Sequence, residues 1–129
     1  VHIGDDELPV ALVRKLVGST KIVGVSAKTV ARGVEAENEG ADYLGVGAIF
    51  PTTTKDSPLT SLQTLSEIAA AVTIPVVAIG GIKEENIEQL MGTRVAGVSL
   101  VSEIMLAEQI TEKVQGLMRV TERMLEVRK

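Results

Sequence analysis

The 129-residue chain has no cysteine and no tryptophan, and it carries one histidine, one tyrosine and one phenylalanine. Without cysteine there is no disulfide and no thiolate metal site, and with His2 alone neither a zinc cluster nor a Ser–His mechanism is expected. Catalysis would then fall to Lys, Asp, Glu, Ser, Thr or backbone groups. An aromatic content of 2% and a formal net charge of −4 argue against a nucleic-acid partner, which needs a basic face and stacking rings. No apolar run approaches the ~20 residues of a membrane span. The first residues are apolar and strand-like and lack a signal-peptide pattern, so the expectation is a cytoplasmic protein with no membrane partner.

What the chain does have is a core. Hydrophobic residues make up 45% against 23% charged, in one domain's length of sequence (1–129) with no linker or low-complexity segment. Short runs rich in Val and Ile predict strands at residues 1–3, 21–26, 43–50, 75–81 and 97–102. Three- and four-residue apolar spacing predicts helices at 9–17, 29–39, 58–72 and 84–91, the third with Leu59, Leu62, Leu65, Ile68 and Val72 on one face and a Ser57-Pro58 start. A long closing helix over 107–129 would bury Ile110, Val114, Leu117 and Leu125. The unit is a repeating βα pair. Strands apolar on both faces and joined by helices imply a parallel sheet, either open and doubly wound or curved into a barrel. Small and hydroxyl-bearing residues follow nearly every strand, which favours a barrel, because a barrel gathers ligand groups from all its βα loops onto one rim.

Two of those strand ends are equipped for anions. In GVGAIFPTTTKDSP, residues 45–58, Pro51 takes the chain out of the sheet, and three threonines and Lys55 follow. Hydroxyls, backbone N–H groups and an ammonium can grip anionic oxygens, although the same composition also suits a solvated loop. In IPVVAIGGI, residues 74–82, Gly80 and Gly81 let the backbone approach a ligand closely. GVSLVSEI, residues 97–104, then brings Ser102 to the place where a barrel's last strand completes a phosphate site. Ser26, just before Lys28-Thr29, reads otherwise as a helix N-cap.

Taken in order, VHIGDDELPV, GVSAKT, GADYLGVGAIFPTTTK, IPVVAIGGI and GVSLVSEI resemble the thiamine phosphate synthase family across essentially the whole chain. The resemblance implies a (β/α)8 TIM-type barrel. It implies a transferase that joins a pyrimidine methyl diphosphate to a thiazole phosphate with Mg²⁺ and releases diphosphate. On this resemblance Thr52, Thr54, Lys55 and Ser26 grip the diphosphate, and the amides of Gly81, Val101 and Ser102 hold the thiazole phosphate. The family's metal aspartate falls on Glu7, with Asp5 and Asp6 as alternatives; an acidic start to a helix is the plainer reading of all three.

Some positions depart from the family. A glycine common after the threonine loop is replaced near Ser61, one lysine of the usual Lys-Lys pair is absent, and Arg94-Val95 stand where Gly-Ala-Asp often precedes the last strand. The five βα units match the family's fourth to eighth. Five strands do not close such a barrel, so two open edges are expected, covered either by a missing N-terminal barrel portion or by a second copy in a homo-oligomer. A non-catalytic phosphate-binding half-barrel is one alternative. A thiazole tautomerase-like relative is another, less favoured because such relatives carry a histidine at Lys28 and an eroded threonine loop.

Overall fold

Five short strands, β1 (His2–Ile3), β2 (Gly24–Ser26), β3 (Tyr43–Val46), β4 (Val76–Ile79) and β5 (Gly97–Ser99), pair in parallel in the order of the chain. The computed structural model describes residues 1–52 and 58–126. A doubly wound sheet changes winding direction at a switch point, which scrambles strand order. Sequential order with right-handed crossovers instead puts every helix on one face, as in a (β/α)8 barrel. The fold is therefore five βα units of a TIM-type barrel, with β1 and β5 at the edges of the sheet.

Alternation along the strands decides which face is which. Ile3, Val25, Leu44, Val46, Val76 and Ala78 are buried against the helices. They meet Val10 and Val13 of α1 (Val10–Val17), Ala36 of α2 (Val30–Asn38), Leu65 and Ile68 of α3 (Leu62–Ala71), and Leu117, Val120 and Met124 of α5 (Ile110–Glu126). The intervening positions, in register across the sheet, are His2, Gly24 and Tyr43 in one row, then Ser26, Gly45, Val77 and Gly97 in the next. The expectation of strands apolar on both faces is corrected for β1 to β3, whose second face is small or polar because it lines a cleft and not a helix layer; β4 keeps Val77 and Ile79 there.

Side-chain caps mark the starts of two helices. Thr29 caps α2, its hydroxyl accepting from the Arg32 N–H at 3.1 Å, so the capping role read for Ser26 belongs to Thr29. Ser61 caps α3 through the Thr64 N–H at 3.0 Å. The helix thus starts four residues later than the start expected at Ser57-Pro58, and Leu59 lies outside it, 57% exposed. Residues 84–91 form no α-helix but a single 3-10 turn, Ile87–Leu90, whose two apolar ends are three apart and both fully buried. The strand expected over 97–102 stops at Ser99, and Ser102 opens the short helix α4 (Ser102–Met105). In α5 the buried face is Gly116, Leu117, Val120 and Met124, while Ile110 is exposed.

Below the sheet, at the strands' N-terminal ends, two charged side chains tie loops together. Arg14 of α1 donates to the carbonyls of Gly18, Lys21 and Gly40 and pairs with Asp42 at 2.7 Å. Asp42 also accepts from the Val23 N–H at 2.8 Å. Those contacts, the Val23 N–H first and then Arg14, hold its carboxyl below the usual range. Glu37 accepts from the Thr73 hydroxyl and from the N–H groups of Thr73 and Ile74, which lowers its pKa in the same way, the hydroxyl contributing most.

Candidate active site

The C-terminal ends of all five strands open on one cleft of about 560 Å³. After β1 come Gly4 and the acidic residues 5–7; β2 brings Ser26 and Lys28; Gly47, Ala48 and Thr52 follow β3; Gly80, Gly81 and Ile82 follow β4; and Leu100, Val101 and Ser102 follow β5. Contribution from every strand end to a single rim is the arrangement of a barrel active site.

One row further back on the same sheet face, a polar cluster reaches the cleft through Ser26. His2 lies between two hydroxyls, its Nδ1 3.0 Å from the Tyr43 OH and its Nε2 2.9 Å from the Ser26 Oγ. Room for the rings comes from glycines on neighbouring strands. A Cβ on Gly24 would fall 2.0 Å from Tyr43 Cζ, and one on Gly45 would fall 3.2 Å from His2 Cε1. A Ser–His pair therefore exists where none was expected, but its third member is a phenol and not a carboxylate. No group in the cluster offers the charge that stabilises an imidazolium in a Ser-His-Asp triad. The cluster orients the Ser26 hydroxyl.

The opposite wall is backbone. Gly80 and Gly81 both have positive φ, 96° and 67°, a region that side chains with a Cβ disfavour. They are also pressed against the end of β3: Phe50 N–H donates to the Gly80 carbonyl at 3.0 Å, and a Cβ on Gly81 would lie 2.4 Å from the Phe50 carbonyl oxygen. Conformation and space both require glycine there, and the Gly81 backbone is left facing the cleft.

Among the acidic residues, Glu7 folds back over Gly4, with its Oε1 2.5 Å from where a Gly4 Cβ would stand, and Asp5 lies 3.9 Å from Arg32. Among the described residues no three His, Cys, Asp or Glu side chains converge as a metal cage. What the cleft mouth offers is one or two hard oxygen ligands. That donor set fits Mg²⁺, which keeps several waters and completes its shell with substrate phosphate oxygens.

The sequence-derived residues Glu7, Asp5, Asp6, Ser26, Thr52, Gly81, Val101 and Ser102 thus share one cleft. Thr54 and Lys55 lie outside the described residues. His2 and Tyr43 were not singled out as site residues from the sequence. The signal was present in the alternation: each sits at an inward position, and each is opposed in register by glycine, Gly24 in both cases.

The fold and the cleft define the class, a TIM-type barrel segment whose strand ends share one polar rim. The chain belongs to the thiamine monophosphate synthase family, whose model matches residues 1–104. It is 98% identical over all 129 residues to a thiamine-phosphate synthase of Enterococcus faecalis, covering 61% of that protein, and 59% identical over 120 residues to thiamine-phosphate synthase 2 of Streptococcus pneumoniae, covering 57%. Among solved structures, a thiamine phosphate pyrophosphorylase from Pyrococcus furiosus superposes with a TM-score of 0.87 at 35% identity, over 97% of this chain and 60% of that one. The chain spans about three fifths of the length of these relatives.

Proposed function

We propose that this chain is the C-terminal part of a thiamine-biosynthetic transferase that joins a hydroxymethylpyrimidine diphosphate to a thiazole phosphate and releases diphosphate. The observation that carries the reading is the single cleft at the five strand ends, where hydroxyl, backbone and carboxylate groups line one rim in a chain of this family.

In this reaction the bond between the pyrimidine methylene and the diphosphate oxygen breaks, and the diphosphate leaves with the electron pair. The thiazole nitrogen then attacks the cation-like methylene carbon. No proton has to be removed, which suits a cleft without a strong base. The chain's task is to meet negative charge as it grows on the leaving oxygens. When the Tyr43 hydroxyl donates to His2 Nδ1, the ring's Nε2–H donates to Ser26 Oγ. That fixes the serine oxygen and frees its own proton for a departing oxygen. Thr52, Thr54 and the Lys55 ammonium act on the same group in this account. The amides of Gly81, Val101 and Ser102 hold the phosphate of the thiazole substrate, across the cleft from Ser26. Asp5, Asp6 or Glu7 would hold Mg²⁺, which when bound supplies positive charge to the diphosphate.

Closure of the barrel belongs to the same proposal. Leu8, Leu12 and Leu16, four apart beside edge strand β1, are 53%, 42% and 69% exposed. An apolar edge of this kind needs a cover, from further βα units or from a second copy. No helix among the described residues is long and apolar enough to cross a membrane, and we place the reaction in the cytoplasm.

The test is stoichiometry. Full-length protein carrying this sequence should release one diphosphate per thiamine phosphate formed, only with both substrates present. Diphosphate release independent of the thiazole phosphate would make the protein a hydrolase and reject the proposal.

A further inference from the structure

Residues 81–84 carry the chain out of β4 and past the cleft, and their polar backbone groups divide by direction. Asn86 takes two of them: its Nδ2 donates to the Gly81 carbonyl at 3.0 Å, and its Oδ1 accepts from the Lys83 N–H at 2.7 Å. Glu103 takes a third, its Oε2 accepting from the Glu84 N–H at 2.8 Å, with the Lys113 ammonium 3.8 Å from the same oxygen. Two groups remain. Among the described residues the N–H of Gly81 and that of Ile82 have no hydrogen-bond partner, and both residues line the cleft.

In a trans peptide the C=O and the following N–H point in opposite directions. The Gly81–Ile82 peptide is trans, so a Gly81 carbonyl tied to Asn86 turns the Ile82 N–H away from Asn86. Ile82 has a buried side chain, 3% exposed, and an N–H in such a place is costly until a ligand or water meets it.

We propose that Asn86 is a positioning residue for the phosphate site: by holding the Gly81 carbonyl it aims the Ile82 N–H into the cleft, where it joins the Gly81 N–H on the oxygens of a phosphate monoester. The inference rests on the reading of this rim as the thiazole phosphate site. Asn86 does not touch the ligand. Its backbone N–H bonds the Lys83 carbonyl at 3.0 Å and its Oδ1 holds the Lys83 N–H, and those two bonds make the turn. The bond from Nδ2 to Gly81 is extra to the turn.

That division supplies the experiment. In 15N-labelled protein, titration with inorganic phosphate should shift the Gly81 and Ile82 amide signals. Asn86→Ala should raise the dissociation constant about fivefold or more, as expected for one lost hydrogen bond. Asn86→Asp keeps the acceptor for Lys83 and therefore the turn; it should hold the melting temperature while weakening phosphate at least as much. Gln89→Glu adds the same charge at an exposed position of the same turn, and should change affinity by no more than about twofold once salt screens it. A shift at Gly81 and Ile82 with unchanged affinity in Asn86→Ala, or with Asn86→Asp no weaker than Gln89→Glu, overturns the role of Asn86 and leaves the phosphate site standing. No phosphate response at either amide in the parent protein overturns both.

Discussion

Tyr43 lies across Gly24, close enough that a Cβ on the glycine would meet the ring at 2.0 Å, and from that position its hydroxyl reaches His2. Gly24→Ala should therefore swing the ring aside and release the His2 contact without breaking the sheet, because what must move is the far end of a side chain. The expected loss is about 1 kcal/mol in chemical denaturation, roughly one hydrogen bond. Gly47→Ala should cost more, about 2–3 kcal/mol, since its Cβ would fall 2.0 Å from the backbone carbonyl oxygen of Ile79, which has no rotamer to escape by. Equal losses in the two variants would contradict this packing.

Acid should loosen the N-terminal end of the barrel before the cleft. Asp42 and Glu37 both have lowered pKa values in the folded chain. Each binds its proton more readily when unfolded, so its stabilisation is in place above the unfolded pKa, ~4 for such groups, and is lost as pH falls through the lower, folded value. Melting temperature should hold from pH 7 to about 5 and then drop, and Asp42→Asn should start lower and show a shallower acid limb. An acid limb as steep in Asp42→Asn as in the parent would remove Asp42 from this account.

Ser26 is read as an oriented donor and not as part of the frame. Ser26→Ala should fold with a loss of about 1 kcal/mol. It should slow diphosphate departure by about 10²-fold, as for the loss of one preorganised donor, with little change in the affinity for thiazole phosphate. His2→Ala should produce part of that loss through Ser26. A Ser26→Ala enzyme with the parent's single-turnover rate would reduce the His2–Ser26 bond to a packing contact.

Much of this architecture was legible in the sequence because it depends on local chemistry. Val and Ile runs mark all five strands, and the paired glycines at 80 and 81 mark the place where backbone meets cleft. Elements that needed tertiary information were read less well. The helix expected over 84–91 is a 3-10 turn, and the Asn86 side chain just before it bonds back to the Gly81 loop, a contact that local spacing does not show. Strand ends were read too long at Phe50 and Ser102, since apolar composition continues after the ladder stops. His2 and Tyr43 were hidden for another reason: only the register across β1, β2 and β3 shows that they face each other over Gly24.

Gly81 joins the two halves of the account. Gly81→Val puts a branched side chain where a Cβ alone would stand 2.4 Å from the Phe50 carbonyl oxygen and 2.5 Å from that of Pro51. It should weaken thiazole phosphate by at least tenfold in KM, and the affinity for the pyrimidine diphosphate should change much less. Unchanged thiazole phosphate affinity, measured by calorimetry, would move the phosphate site elsewhere on the rim.

The most direct measurement concerns the leaving group. Lys55 follows Thr54 in the threonine loop, and its compact ammonium is assigned to oxygens that gain charge as the C–O bond breaks. In full-length protein carrying this sequence, rapid-quench single turnovers with both substrates bound should show diphosphate and thiamine phosphate formed together. Lys55→Ala should slow that step by about 10²-fold or more, with thiazole phosphate affinity nearly unchanged, and Lys55→Arg should restore only part. A Lys55→Ala enzyme that releases diphosphate at the parent's rate would contradict the central claim that this rim catalyses by stabilising the departing diphosphate.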